Sequence, residues 1–383
     1  MAPTIRLGRL FGIEIGFNWS LIFIFALITW TLATGVLPLS VSGREPAAYW
    51  AAAAAGAIVF FVCLLAHEMA HALMARRNGV KVAGVTLWLF GGVSRLEGEP
   101  KSAGAEALIA GVGPLTSFAV ALIALGLGLV TSSDALISVV LRWLALVNLA
   151  LGLFNLIPAF PLDGGRLLSS LFWWRSGSRQ RGVHNAVRIG RLFAYLMIAA
   201  GILELFTGAV LDGIWITFIG WFLLSAGSSE EAGSTIKALL KAVPVSAAMT
   251  SPVVTVPDWL TVEQFLESVA PQHHFTTYPV HDPPGKLTGV VRLSELMRVA
   301  IPDRGGKRLS DCGRPISQVP VTRPGEELAA LIERLGAAID QRVLVFDQGQ
   351  LVGIVSPVDI ARILTIRQTL GPGAPRGQGA PQR

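Results

Sequence analysis

The sequence has little charge and almost no cysteine. Of its 383 residues only 15% are Asp, Glu, Lys or Arg, whereas 52% are hydrophobic, and the mean hydropathy is +0.59. So few charged side chains cannot cover the surface of a water-soluble protein of this size, and the composition therefore favours a membrane protein. The two cysteines, Cys63 and Cys312, lie far apart in an apolar run and in the polar half, which argues against a disulfide framework.

Two further classes are disfavoured by what is missing. The formal net charge is +6, but the Lys and Arg residues are scattered and form no run interleaved with aromatics, so we expect no nucleic-acid partner. The N-terminal stretch "MAPTIRLGRLFGIEIG" leads into a long apolar run without a small-x-small cleavage site. We expect that run to be retained as a first transmembrane helix.

Long apolar stretches fill the first 228 residues. A transmembrane helix needs about 20 such residues, and the sequence predicts six spans, at approximately 16–38, 48–75, 104–130, 136–157, 190–208 and 211–227. Arginines follow the second span and fill the region between the fourth and fifth, whereas the opposite loops hold almost none. This asymmetry predicts a multi-pass protein of the cell membrane with both termini in the cytoplasm. Arg142, inside the fourth span, either extends to the interface or lies before a span that begins later.

A short segment between the second and third spans is too broken to cross a bilayer. Residues 80–100, "VKVAGVTLWLFGGVSRLEGEP", carry β-branched and aromatic residues around two glycines, a pattern that predicts a β-hairpin. Strands at membrane depth are tolerated only where protein buries them or where they line a wet cavity. A membrane-associated hairpin would therefore mark such a cavity.

The composition changes after residue 230, where charges become regular and two similar segments follow each other. Each reads as strand, amphipathic helix, two strands and a final helix, so an α+β repeat is predicted. We therefore expect a membrane domain (1–228), a linker (229–244), two repeats (245–302 and 308–366) and a disordered Gly/Pro/Gln-rich tail (367–383).

The second span contains a motif with the spacing of a metal site, "HEMAH". Residues four apart share a helix face, so His67 and His71 can bind one ion while Glu68 reaches a water held by it. Zinc in such a site takes three protein ligands, and Glu68 would act as the general base. The alternative is that both histidines simply pack, but ionisable residues inside a span are costly and indicate function.

A third zinc ligand has to come from elsewhere in the chain. The strongest candidate is Asp163 in "NLIPAFPLDGGRLL", where two prolines end the fourth span and two glycines follow; the others are His184, Glu97, Glu99 and Glu106. Asn155, in the same stretch, either donates a hydrogen bond to the oxyanion of a peptide-cleavage intermediate or only caps the helix end.

These motifs resemble those of the site-2 proteases, intramembrane zinc metalloproteases. The resemblance rests on "HEMAH", "NLIPAFPLDGGR", "WLFGGV" and "GVGPLTS" in the expected order over most of residues 1–228. It implies one zinc ion per chain on His67, His71 and Asp163, a catalytic Glu68, and Asn155 near the scissile carbonyl. Membrane proteins with one or several spans, among them anti-sigma factors and membrane-bound transcription regulators, are the substrates that it implies.

Two further elements of the resemblance concern the hairpin and the third span. The hairpin residues Phe90, Gly91, Gly92 and Val93 are implied to hold the substrate as an added strand. Gly113, Pro114 and Ser117 match a small-residue motif that serves either close helix packing or contact with the site. No inserted region is long enough for the PDZ domain that one branch of the family carries.

The repeated half resembles a tandem pair of cystathionine-β-synthase (CBS) domains, which implies binding of ATP, ADP or AMP. "GIVSPVDI" places Ser356 and Asp359 at the positions that contact ribose and phosphate, and "GVVRLSEL" places Arg292 and Glu295 at the matching positions of the first repeat. The alternative is a pair that only forms a homodimer or docks on the protease.

The sequence thus predicts a six-helix membrane protein with a membrane-associated β-hairpin, followed by an α+β CBS pair. Its favoured function is nucleotide-modulated intramembrane proteolysis. A CBS-regulated transporter or channel is less consistent with ionisable groups concentrated at one place, and an inactive scaffold is less consistent with an intact set of site residues.

Overall fold

The computed structural model describes residues 5–88, 91–133, 135–335 and 342–370. The chain divides into two compact units, Met1–Thr235 and Ile236–Arg383, and each has its own hydrophobic cores.

Seven helices form most of the described part of the first unit. In chain order they are α1 (Leu21–Ser40), α2 (Pro46–Arg77), α3 (Ala103–Val130), α4 (Leu136–Asn155), α5 (Asp163–Ser176), α6 (Arg179–Thr207) and α7 (Val210–Leu240). All except α5 are long and apolar enough to cross a membrane, which confirms the six predicted spans. α5 follows the prolines that end the fourth span, and its buried face packs against α3 and α6.

The helices α1 and α7 begin or end at residues other than the predicted ones, because the apolar run and the helix have different lengths there. The first helix begins at Leu21 and not near residue 16, because residues up to Phe17 belong to a strand. α7, which corresponds to the sixth predicted span, runs to Leu240 and includes residues 229–240 of the predicted linker. Those residues include two each of Glu, Ala and Leu, which favour helix, and contain no proline, so the helix continues after the apolar run has ended.

A four-stranded sheet lies beside α2. Its strands are β1 (Ile5–Leu10), β2 (Ile13–Phe17), β3 (Lys81–Trp88) and β4 (Gly91–Glu97), in the order β1-β2-β3-β4. The β3–β4 hairpin was predicted; its extension by an N-terminal strand pair was not. Alternate residues Ile13 and Ile15 are buried against Met69 and Ala72 of α2, which holds the sheet on that helix. β4, an end strand of this sheet, also contacts α2.

Arg142 lies in the second turn of α4, and its guanidinium donates to the Ser138 hydroxyl (2.6 Å), one turn towards the start of the helix. The side chain therefore extends towards the N-terminal end of α4, in the direction that the first of the two predicted alternatives requires.

The second unit contains two α+β repeats. In the first, β5 (Val256–Pro257), β6 (Thr277–His281), β7 (Leu287–Arg292) and β8 (Arg314–Pro315) form a sheet with α8 (Val262–Gln264, continued by a π-helix, Phe265–Val269), α9 (Leu293–Leu296) and α10 (Leu309–Cys312). In the second, the sheet order is β11-β10-β9, from β9 (Val321–Thr322), β10 (Val343–Asp347) and β11 (Gln350–Val355), with helices α11 (Leu328–Leu335) and α12 (Pro357–Leu370).

The predicted order of elements is present in both repeats, but α10 and β8, which fall within residues 308–366 predicted for the second repeat, belong to the core and sheet of the first. Each has a separate core, centred on Phe265 and Tyr278 in the first and on Leu328 and Val345 in the second. Residues 367–370 of the predicted tail are helical, and the rest of that tail lies outside the described residues.

A buried ion pair joins the beginnings of α3 and α6. Glu106 is 1% exposed, and its Oε2 lies 3.4 Å from Nε of Arg179, whose Nη1 is 3.0 Å from Oε1 of Glu99. A carboxylate removed from water is tolerated only when a cation compensates it, so Arg179 determines how α6 begins relative to α3.

We expect Arg179→Gln to destabilise the protein, because it leaves Glu106 buried without its cation. Loss of one partner of a buried pair costs 3–5 kcal/mol, and since the Arg179 side chain is 20% exposed we expect the lower end, about 3 kcal/mol. Thermal unfolding in detergent measures the change. Arg181→Gln, an exposed neighbour on the same helix, is the control, and equal effects of the two variants would contradict the prediction.

Candidate metal centre

Three ligand atoms converge between α2 and the start of α5. Nε2 of His67 and Nε2 of His71 are 3.1 Å apart, and Oδ2 of Asp163 lies 3.4 Å from the first and 3.2 Å from the second. All three residues are buried. Among the described residues this is the one group of three or more His, Cys, Asp or Glu side chains with metal-binding geometry.

These separations fit a tetrahedral ion. Ligand atoms about 2.0–2.1 Å from one zinc ion in tetrahedral geometry lie about 3.3 Å from each other, close to the three distances of 3.1, 3.2 and 3.4 Å. Two imidazoles and one carboxylate are also the ligand set of water-activating zinc sites, which keep a fourth position open. The three residues therefore fit zinc in both geometry and chemistry.

Asp163 reaches the histidines because α5 begins with it. Pro158 and Pro161 interrupt the chain after α4, and Asp163 is the first residue of the next helix. Gly164 is helical, and a Cβ there would lie 2.2 Å from the carbonyl oxygen of Leu156, so only glycine fits at this position.

α3 holds both imidazoles from behind. Nδ1 of His67 is hydrogen-bonded to the Ser117 hydroxyl (2.8 Å), and Nδ1–H of His71 donates to the carbonyl oxygen of Ile109 (2.6 Å). A carbonyl can only accept, so His71 carries its proton on Nδ1 and presents the lone pair of Nε2 to the centre.

The small-residue motif of α3 lies against the site, where Gly113 and Ser117 combine both predicted roles, close helix packing and contact with the site. A Cβ at position 113 would lie 2.1 Å from Nε2 of His71 and 2.7 Å from Nε2 of His67, so only glycine permits this approach. Together with Ser117, Gly113 brings α3 against the ligand face of α2.

Glu68 lies on the side of α2 that faces the hairpin. The Ser94 hydroxyl of β4 is within hydrogen-bond distance of Oε2 of Glu68 (3.1 Å) and of its backbone carbonyl oxygen (3.2 Å). A Cβ at Gly92 would lie 2.1 Å from Cγ of Glu68, so β4 passes directly over this side chain. The candidate base is thus held between the ligand helix and an end strand.

The hairpin residues predicted to bind substrate are only partly described. Gly91 and Gly92 begin β4, whose backbone pairs with Trp88 and Leu87 of β3. Phe90 and the side chain of Val93 lie outside the described residues.

The other candidates for the third ligand have different partners. Glu99 and Glu106 pair with Arg179, and His184 is hydrogen-bonded to Glu231. The side chain of Glu97 lies outside the described residues.

Asn155 is the last residue of α4, and its Nδ2 donates to the Leu151 carbonyl oxygen (3.0 Å), within the same helix. This contact corresponds to the helix-end role, the second of its two predicted roles.

Sequence reasoning missed Ser94 and Ile109. Ser94 follows the "FGGV" stretch that was singled out, but its approach to Glu68 depends on how the hairpin lies on α2. Ile109 contributes a backbone carbonyl, for which no side-chain signal exists.

The predicted nucleotide residues of the second repeat line a cavity of about 330 Å³. Oδ2 of Asp359 accepts from the Ser356 N–H (2.9 Å) and hydroxyl (2.6 Å), and Oδ1 accepts from the Thr250 hydroxyl (3.2 Å). The wall of the cavity includes apolar side chains, among them Val254, Phe275 and Val358.

Arg292 and Glu295, at the matching positions of the first repeat, have different surroundings. Arg292 lines a much smaller cavity, of about 20 Å³, and Glu295 lies 3.4 Å from Arg314. The two halves of the module are therefore not equivalent.

Comparison with known proteins gives consistent matches along the chain. Residues 55–140 and 130–199 match the sequence profile of peptidase family M50, and residues 245–301 match that of the CBS domain. A Mycobacterium tuberculosis protein named as the zinc metalloprotease Rip3 is 42% identical over 377 residues, 97% of this chain and 95% of that protein.

Two archaeal matches are more distant. A zinc metalloprotease of Methanocaldococcus jannaschii is 28% identical over 367 residues, 96% of this chain and 97% of that protein. The solved structure of a site-2 protease from the same organism is 28% identical and covers 59% of this chain and 94% of that one, with a TM-score of 0.41.

The M50 match spans the helices that carry both histidines and Asp163, and a relative 42% identical is matched over almost its whole length. The chain therefore belongs to peptidase family M50 and is a zinc-dependent, multi-pass membrane metalloprotease of the site-2 type.

Proposed function

We propose that this chain hydrolyses peptide bonds in or near the transmembrane segments of membrane-protein substrates. His67, His71 and Asp163 hold the zinc ion and Glu68 is the general base. The observation that carries this proposal is the convergence of two imidazole nitrogens and one carboxylate oxygen to within 3.1–3.4 Å.

Contacts from α3 orient both imidazoles and fix the tautomer of His71. The Ile109 carbonyl oxygen and the Ser117 hydroxyl occupy Nδ1 of the two histidines and leave both Nε2 atoms for the ion. When bound, zinc lowers the pKa of water in its open position to about 7 and polarises a carbonyl oxygen. Gly113 leaves the space that the imidazoles need.

Glu68 moves the protons of the reaction. It accepts a proton from the attacking water as the oxygen forms its bond to the scissile carbonyl carbon. The C–N bond then breaks, and Glu68 delivers the proton to the leaving nitrogen. Ser94 binds one carboxylate oxygen of Glu68, which restricts the rotation of the base while it waits for substrate.

β4 offers the substrate an extended partner. A transmembrane helix hides its amides in internal hydrogen bonds, so the segment to be cut has to unwind first. Pairing with an end strand would satisfy the freed amides, and Gly92 of β4 passes directly over Glu68. Substrate added to β4 would thus run past the base.

Asn155 is proposed to act near the scissile carbonyl, by family resemblance. Its side-chain amide donates to the Leu151 carbonyl oxygen and would have to turn from it to reach an oxyanion.

We place the site within the membrane, close to the cytoplasm. At 1.5 Å per residue, His67 lies roughly 10–15 Å from Arg76 and Arg77 at the end of α2. Arginine-rich segments at this end and between α4 and α6 support a cytoplasmic location of both termini and of the CBS pair. By resemblance to the family, regulatory membrane proteins such as anti-sigma factors or membrane-bound transcription regulators are the proposed substrates.

Adenine nucleotides are the proposed modulators. The cavity of about 330 Å³ falls within the usual range for small-molecule sites, and combines an apolar wall with Thr250, Ser356 and Asp359 at one end. A base would lie on the apolar wall and the ribose against the polar end. Homodimer formation through the CBS pair remains a separate prediction.

We expect Glu68→Gln to abolish cleavage while zinc stays bound, because glutamine cannot accept the proton but preserves the shape of the side chain. General-base catalysis contributes about 10²–10⁴-fold, so the rate on single-span substrates should fall by at least that factor. Zinc content and cleavage are measured on the same purified protein. Glu45→Gln, at the exposed opposite end of α2, is the control; cleavage persisting in Glu68→Gln would refute the mechanism.

Ser117→Ala should weaken zinc binding by about 10- to 100-fold, the usual effect of removing a partner of a metal-bound histidine. Thr116→Ala is a matched control, because the Thr116 hydroxyl donates only to the Val112 carbonyl oxygen of its own helix. Competition with a zinc chelator measures both variants. Equal zinc affinities of the Ser117→Ala and Thr116→Ala variants would show that Ser117 does not support the metal centre.

Filling the larger CBS cavity should prevent nucleotide binding. Val358 lines this cavity and is 74% exposed, so Val358→Trp places an indole there with little change to the core. Calorimetry on the full chain should show at least about tenfold weaker AMP binding. Ile301→Trp, at an equally exposed position away from the cavity, is the control. If the unmodified chain binds none of ATP, ADP or AMP, nucleotide modulation is wrong.

A further inference from the structure

Three arginines meet where the two CBS repeats face each other. Arg292 and Arg314 of the first repeat and Arg342 of the second line one small cavity, together with Thr277 and Gln318. Like charges repel, and repulsion grows as the groups leave water, so such a group is costly unless an anion lies among them.

The described carboxylates compensate this charge only in part. Glu295 lies 3.4 Å from Arg314. The charge of Asp359 raises the pKa of Arg342, but the oxygens of Asp359 accept hydrogen bonds from Ser356 and Thr250. No described carboxylate forms an ion pair with Arg292 or Arg342, and burial together with the charge of Arg292 lowers the pKa of Arg342.

A buried hydroxyl also points to a missing ligand. Thr277 is 5% exposed, and its Oγ1 has no hydrogen-bond partner among the described residues. Buried hydroxyls are normally satisfied, so an unpaired one in the wall of a basic cavity indicates a bound group that accepts its proton. Thr277 and Arg342 line both this cavity and the neighbouring one that contains Ser356 and Asp359.

The two cavities differ in size and can therefore hold different parts of a ligand. The cavity beside Ser356 has about 330 Å³, enough for a nucleoside, whereas the space among the arginines has about 20 Å³, enough for a water-sized group. Arg292 stands where Ser356 stands in the other repeat. Its side chain and that of Arg314, which is 43% exposed, can move apart to admit a phosphate but not a base.

We propose that the cluster of Arg292, Arg314 and Arg342 binds a phosphate group, supplied by the polyphosphate chain of a nucleotide seated in the larger cavity. This inference rests on the proposed nucleotide binding and specifies it: one nucleotide per chain, with ATP and ADP preferred to AMP and adenosine. Arginine suits this task because its planar fork donates two parallel hydrogen bonds to phosphate oxygens.

The test measures binding to the full-length protein in detergent, with Mg²⁺ omitted. Calorimetry with ATP, ADP, AMP, adenosine, inorganic phosphate and tripolyphosphate is compared for the unmodified chain, Arg292→Gln and the exposed control Arg298→Gln. We expect one site per chain. Arg292→Gln should weaken ATP binding by about 10- to 100-fold, as expected for a charge-assisted hydrogen bond, and leave AMP within about twofold.

The outcomes separate this inference from the nucleotide proposal. Equal affinities for ATP, ADP and AMP, or equal effects of Arg292→Gln and Arg298→Gln, overturn the arginine site while nucleotide binding stands. If tripolyphosphate or phosphate binds and ATP, ADP and AMP do not, a nucleotide is not the source of the bound phosphate. Two nucleotides per chain would overturn the assignment of one cavity to the phosphate. Unchanged thermal unfolding of Arg292→Gln excludes misfolding as the cause of a weaker affinity.

Discussion

The geometry of the metal centre depends on keeping three polar ligand atoms buried within 3.4 Å of one another inside an apolar helix bundle. The second ring nitrogen of each histidine then needs a partner, because water is scarce there. Ser117 and the Ile109 carbonyl oxygen supply those partners, and Gly113 lets α3 come close enough for them to do so. α3 and the start of α5 therefore owe their positions to a few side chains of α2.

The same constraint explains why the sheet lies beside α2. Glu68 is one residue from His67 but faces another direction, towards β4, where Ser94 and Gly92 meet it. In the proposed mechanism, the base has to reach both the attacking water and the leaving nitrogen, and Glu68 lies between the zinc ligands and β4, the strand proposed to pair with substrate. The extension of the hairpin by β1 and β2 gives it support from Ile13 and Ile15, packed on Met69 and Ala72 of α2.

The CBS pair uses one repeated pattern for two purposes. Duplicated strands and helices provide two separate cores, and the described residues around Ser356 and Asp359 line a cavity of nucleoside size. In the other half, Arg292 replaces the serine found at position 356, and the space beside it shrinks to about 20 Å³. In the proposed scheme, the module therefore has one nucleoside site, and the arginine cluster beside it binds the phosphates. The affinity for a nucleotide then depends on how many phosphates it carries.

Local patterns in the sequence were enough to predict the six apolar helices, the hairpin, the repeat and the helical pair His67 and His71, because hydrophobic runs and i, i+4 spacing depend only on neighbours in the chain. The same patterns ranked Asp163 first without excluding Glu99, Glu106 or His184. Only the tertiary structure paired those three with Arg179 and Glu231 and brought Ser94 to Glu68. The N-terminal strands and the full length of α7 also emerged only there. Contacts between distant segments depend on how helices and sheets pack, and single-chain periodicity carries no information on that packing.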